Sequence, residues 1–211
     1  MSLLKNPNLH ANVGSTQRIE AFSDGIFAFN ATLLVLELKA PELMDGSLQT
    51  FLNNLMIMGP KFLGFVISFV TIAIFWVNHH HFFHNFNRAD WKLLWFNNLL
   101  LFFITLMPFT TALIGDYPKN PAVVMMYALV MLLATMSFAL TIRHVFFKSK
   151  LMSEDIPLAD RKKEFKRIWL AIIMYAAATI VAPFLVDVSL VLLALTPILY
   201  FVPSILEANQ S

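Results

Sequence analysis

Long apolar runs alternate with short polar breaks along this chain. A helix needs about 20 predominantly apolar residues to cross the hydrocarbon core of a bilayer. Six runs approach or reach that length, at about 17–38, 60–83, 91–114, 121–146, 166–186 and 188–206. A lone span must satisfy its backbone internally, so each is predicted to be helical. The stretch SLQTFLNNLMIMG before the second run is amphipathic and fits a short interfacial helix. The fifth and sixth runs meet near Asp187, which predicts an antiparallel hairpin. Pro60, Pro108, Pro183, Pro197 and Pro203 predict helix starts, kinks or ends. The expected fold is all-α, a polytopic membrane protein with one six-helix transmembrane domain over residues 1–211.

Composition reinforces the pattern. The chain is 58% hydrophobic and 13% charged, where a soluble domain is closer to half apolar and a quarter charged. Little is left for a soluble domain. Cysteine is absent, so there is no disulfide framework or thiolate metal site. The polar N-terminal stretch lacks a cleavable signal pattern, so the first span is expected to remain in the mature protein. Twelve Lys and Arg fall on one side of the predicted topology, Lys5, Arg18, Arg88, Lys92 and Arg161–Arg167 among them. Lys39, Lys61 and Lys119 fall on the other. The positive-inside rule then puts both termini in the cytoplasm, as an even number of spans requires. No nucleophile–base pair, phosphate loop or nucleic-acid motif is present, which argues against an enzyme or a nucleic-acid partner. No internal repeat is evident, so a symmetric pathway would need several copies of the chain.

The first run, RIEAFSDGIFAFNATLLVLEL, carries Arg18, Glu20, Ser23, Asp24, Asn30 and Thr32. Polar groups inside a span are costly and tend to mark function. At 100° per residue with Phe29 as origin, Arg18, Phe22, Gly25, Leu33 and Leu36 fall within about 40°, and Thr32 at about 60°. Ser23, Asn30 and Glu37 form a second stripe at about 80–120°, and Asp24 lies at about 220°. If the Phe29 face lines an axis, Asp24 turns back toward its own subunit. There Trp76, Asn78, His79, His80 and Asn97 supply donors. Asp24 reads either as a structural clamp or as a proton or ion ligand. The stripe of Phe29, Leu33 and Leu36 reads either as ordinary bundle packing or, repeated around an axis, as apolar rings that gate by dewetting.

Arg18-Ile19-Glu20-Ala21-Phe22-Ser23-Asp24 resembles the R-x-x-x-F-S-D signature of the endosomal and lysosomal potassium channel family. Phe75-Trp76-Val77-Asn78-His79-His80 and the stretch from Asn98 to Met107-Pro108-Phe109 add weaker similarity. The chain looks like a bacterial member. The resemblance implies a homotetramer of six-helix subunits in the bacterial plasma membrane, conducting potassium, with no other cofactor. The first helices would surround the pore, without the glycine-tyrosine-glycine filter loop of ordinary potassium channels. By offset from the signature, the narrowest ring falls on Phe29, a selectivity threonine on Thr32 and further rings on Leu33 and Leu36. Phe29 stands where the family usually has isoleucine or leucine, which leaves Leu33 as an alternative ring. A modest helix rotation would also turn Asn30 toward the axis. Arg18, Phe22, Ser23, Asp24, Trp76, His79 and His80 would form the signature network that holds the first helix.

His79, His80, His81 and His84 cluster at one end of the second span. His80 and His84 are one turn apart, a spacing that can hold zinc, but no cysteine or carboxylate completes the set. The basic run Arg161, Lys162, Lys163, Lys166, Arg167 reads first as a topology signal and second as a lipid-headgroup contact. The competing function is a secondary transporter or proton pathway within each subunit, using Asp24, Glu37 and the histidines.

Overall fold

The computed structural model describes residues 14–40, 47–149, 151 and 157–208, with side chains up to Ile198 except those of Leu158, Asp160 and Glu164. Lys5, Lys150 and the side chain of Pro203 lie outside what it describes. Eight α-helices account for nearly all of it: α1 (Gln17–Leu36), α2 (Leu48–Ile57), α3 (Gly59–Phe83), α4 (Trp91–Thr105), α5 (Met107–Asp116), α6 (Pro121–Arg143), α7 (Leu158–Val181) and α8 (Val186–Ala208). A π turn, His144–Lys148, extends α6. Two short strands, β1 (Gly14–Ser15) and β2 (Arg88–Ala89), pair antiparallel.

Helix starts are written locally. Ser47, Asp90 and Asn120 cap α2, α4 and α6, their side-chain oxygens accepting from Thr50 N, Leu93 N and Ala122 N. Pro60, Pro108 and Pro121 sit in the first turns of α3, α5 and α6, where a missing N–H costs nothing. Pro108, expected to start, kink or end a helix, starts a new one within the third run. The third run is two helices meeting at Leu106, because a proline N cannot donate to the carbonyl one turn back.

Four helical segments are long and apolar enough to cross a membrane: Gln17–Leu36, Gly59–Phe83, Trp91–Asp116 and Pro121–Lys148. α7 differs from expectation because its helix begins at Leu158, so the basic run forms its first turns instead of a loop. Lys and Arg are good helix formers, and a charge count does not distinguish a connection from a helix end. In α8 the apolar part with described side chains is Val186–Ile198. Asp187 lies in its first turn, and Pro183 sits in the bend before it.

α6 is the central helix, packed on α4, α5, α7 and α8. Its buried side includes Val124, Ala128, Met131, Ala134 and Phe138. α1 packs on α3, α4 and α5 from the edge of the bundle. Small polar groups tie the interior together. Ser68 Oγ lies 2.9 Å from Tyr127 Oη and 2.7 Å from Thr111 Oγ1, joining α3, α6 and α5. At one end Lys61 pairs with Asp116 at 2.5 Å, its stem lying across Gly115. Lys119, in the connection between α5 and α6, pairs with Asp187 in the first turn of α8. At the other, His144 Nε2 meets Asp90 Oδ2 at 2.7 Å and links the π turn to the start of α4.

Candidate functional site: the first helix and its clamp

α1 has two unlike sides. Ile19, Ser23, Phe27, Asn30 and Leu34 are buried at helical spacing. Phe22, Phe29, Val35 and Leu36 are exposed, Phe29 at 63% and Leu36 at 68%. Thr32 is exposed with them and Leu33 is half-buried at the rim. Ala21, Gly25 and Ala28 are exposed too, and a Cβ added at Gly25 would meet nothing within 4 Å.

The buried side is held by a directional hydrogen-bond chain. Asn97 Nδ2 donates to Ser23 Oγ at 3.0 Å, and Ser23 Oγ donates to Ile19 O at 2.8 Å. Asn97 Oδ1 then faces His79 Nε2 at 2.8 Å, so that nitrogen carries the proton. His79, Asn97 and Ser23 are each almost fully buried. Phe27 meets the His79 ring edge-on at 5.5 Å, and Phe83 stacks on it at 4.3 Å. One polar residue from each of α1, α3 and α4 therefore fixes their mutual rotation. In a water-free interior each such contact is worth about 0.6–2 kcal/mol.

A second contact flanks the first. The Trp76 indole N–H donates to Asp24 Oδ1 at 2.9 Å, and the Trp76 ring stacks on His80 at 5.9 Å. Asp24 is exposed, so it is held on the flank of α1 and not in the interior.

The structure sorts the sequence candidates. Ser23, Asp24, Trp76, His79 and His80 come together around two hydrogen-bonded contacts. Arg18 does not join them: it is exposed, with no side-chain hydrogen bond or ion pair among the described residues. Phe22 lies on the exposed side. Asn30 is 2% exposed and donates to Ile26 O at 2.7 Å, so its amide faces the interior and not the Phe29 side. Its Oδ1 has no partner among the described residues. His80 and His84 stack with centroids 6.4 Å apart, and no third His, Cys, Asp or Glu joins them among the described residues. Glu37 sits thirteen residues beyond Asp24 on α1, about 20 Å away along the axis, so it does not meet Asp24 or the histidines. The sequence reading named Asn97 only as a possible donor to Asp24. It missed the Ser68–Thr111–Tyr127 contact, whose residues lie singly within apolar runs.

Thr32 Oγ1 donates to Phe29 O at 2.7 Å. Its proton is used within the helix, so the hydroxyl oxygen offers lone pairs outward, a polarity that suits a cation.

Comparison with known proteins gives a consistent picture. Residues 18–108 match the family described as the endosomal/lysosomal potassium channel TMEM175. A potassium channel of Chamaesiphon minutus is 37% identical over 149 residues, covering 69% of this chain and 72% of the relative. The endosomal/lysosomal proton channel TMEM175 of Danio rerio is 35% identical over 112 residues, covering 50% of this chain and 22% of that longer protein. The crystal structure of a lysosomal potassium-selective channel TMEM175 homolog from Chamaesiphon minutus superposes with a TM-score of 0.79 at 30% identity, over 90% of this chain and 97% of that one. With its signature residues in α1 and its membrane-length helices in this arrangement, the chain belongs to the TMEM175 family of ion channels.

Proposed function

We propose that this chain forms a potassium channel of four identical subunits in a bacterial plasma membrane, with both termini cytoplasmic. The four membrane-length helices, α7 and α8 make six spans per subunit, and the four α1 helices surround the pore. The observation that carries this reading is the uncovered side of α1. A helix facing only lipid has no need of a stripe of Ala21, Gly25, Ala28 and Thr32 beside Phe22, Phe29 and Leu36. Small residues let membrane helices approach closely, as neighbouring copies of α1 would. Around a fourfold axis Phe29 and Leu36 then form apolar constrictions, with Leu33 beside them at the rim. Helical carbonyls are already bonded and cannot serve as a filter. Cation preference comes from Thr32 hydroxyl oxygens and pore width.

The signature residues Ser23 and Asp24 work behind this surface as the clamp that sets the angle of α1. A proton relay inside the subunit is the weaker reading. The chain His79–Asn97–Ser23 ends on the Ile19 carbonyl, which has no proton to pass on.

Purified protein in liposomes tests the proposal. A potassium gradient should drive flux that a sodium gradient does not match, and mass photometry should count four chains per particle. Equal flux for both ions, or a monomer that conducts, would overturn it.

A further inference from the structure

Asn30 leaves a strong acceptor unpaired in the interior. Its Nδ2 donates to Ile26 O, which fixes the orientation of the amide, and its buried Oδ1 has no partner among the described residues. What faces that oxygen follows from register. α1 and α4 start at the same end of the subunit, because the paired strands β1 and β2 lead directly into them. Ser23 of α1 bonds Asn97 of α4 across 74 residues of chain. Seven residues make close to two full turns and rise about 10.5 Å. Asn30 therefore repeats the side of α1 that Ser23 occupies, and Ile104 repeats the side of α4 that Asn97 occupies, at the same depth. Farther on, Leu34 borders the same small pocket as Thr111 and Ala112, so the register has slipped by about a turn. Asn30 thus lies beside the bend at 104–107. The bend supplies a second acceptor. Pro108 has no N–H for the carbonyl of Ile104 one turn back, and both residues are buried. The buried neighbours Phe27, Leu34, Leu101 and Met107 have no side-chain donor to offer either oxygen.

We propose that one water molecule is bound here, donating to Asn30 Oδ1 and to Ile104 O and so joining α1 to the bend of the third run. Two acceptors cannot bond each other, and a water carries the two protons they need. Ordered water is one of the groups that re-satisfy backbone freed by proline in membrane helices. The site is enclosed within one subunit, so it holds whatever ion the protein conducts and however many chains assemble.

A crystal structure of the full chain that shows ordered water tests this directly. One density peak about 2.5–3.0 Å from both oxygens is expected. An empty gap, or a protein group donating to Asn30 Oδ1, would overturn the proposal. A double-mutant cycle, read by unfolding in detergent, tests it in solution. Asn30→Leu strands the Ile104 carbonyl. Pro108→Ala gives that carbonyl a helical donor and strands Asn30. Together they remove both unpaired acceptors, so the double variant should be more stable than the single effects predict, by about tenfold in the unfolding equilibrium constant. Additive effects would overturn the bridge. If Pro108→Ala does not fold, radiolytic labelling decides the matter. Hydroxyl radicals formed from the bound water should oxidise Met107, which is 0% exposed, in wild type but not in Asn30→Leu. Met131, equally buried in α6, should stay unmodified in both. An unmodified Met107 in wild type, or equal oxidation in the two proteins, would sink the idea.

Discussion

Phe27 and Phe29 are two residues apart on one helix and live in different surroundings. Phe27 is 2% exposed, set against His79, while Phe29 is 63% exposed and has no aromatic ring contact among the described residues. The same contrast runs the length of α1. One side is closed by Ser23, Asn97 and His79, and the other shows small and apolar residues to its surroundings. The share of buried residues is 28% in the α1 span and 56% in the α6 span. α6 is the more deeply packed helix, although Met125, Leu129, Met136 and Leu140 are exposed on it, whereas α1 is packed on one side and carries on the other the surface proposed above to line a pore. Substitutions on the two sides should therefore separate folding from conduction.

The largest effect belongs to the buried side. Phe27→Ala should cost about 3–5 kcal/mol by leaving a cavity beside His79, seen as a loss of monodisperse protein on heating in detergent. Asn97→Leu comes next. It strands the His79 N–H and removes the donor to Ser23, and should cost about 1–3 kcal/mol, measured by the same melt. Phe29→Ala should shift that melt by under about 0.5 kcal/mol yet increase potassium flux in liposomes, the outcome the proposed Phe29 constriction requires. A large loss of stability there would erase the distinction between the two sides. Thr32→Ala should change stability least. Its effect should appear only as a bi-ionic reversal potential moved toward equal potassium and sodium permeability, and an unmoved potential would remove Thr32 from the selectivity assignment.

The helices were legible because apolar runs of membrane length have few alternatives to helix. The kink at Leu106 was legible from Pro108, and the two sides of α1 from angular spacing together with the family resemblance that placed Phe29 at the origin. Other features were not. The angle at which α4 meets α1 is set by packing, so the sequence could offer Asn97 as a donor without saying that Ser23, and not Asp24, receives it. Thr111 and Ser68 sit in apolar runs and look like helix interior until their helices are placed together. Asn30 was misjudged for a related reason: an amide about 100° from Phe29 sits near the boundary of either side, and packing against α3, α4 and α5 turned it inward. The pairing of β1 with β2 involves two residues from each partner, too few to leave a periodic trace.

That pairing bears on how the protein is made. Gly14 is joined to Ala89, Thr16 Oγ1 donates to Phe86 O, and Ser23 waits for Asn97, seventy-four residues downstream. When the ribosome has delivered α1, none of these partners yet exists. Its polar side must stay near water, or within the insertion machinery, until α3 and α4 have followed. Membrane entry of the first helix is thereby coupled to synthesis of the third run, and truncations made before Asn97 should leave α1 poorly integrated.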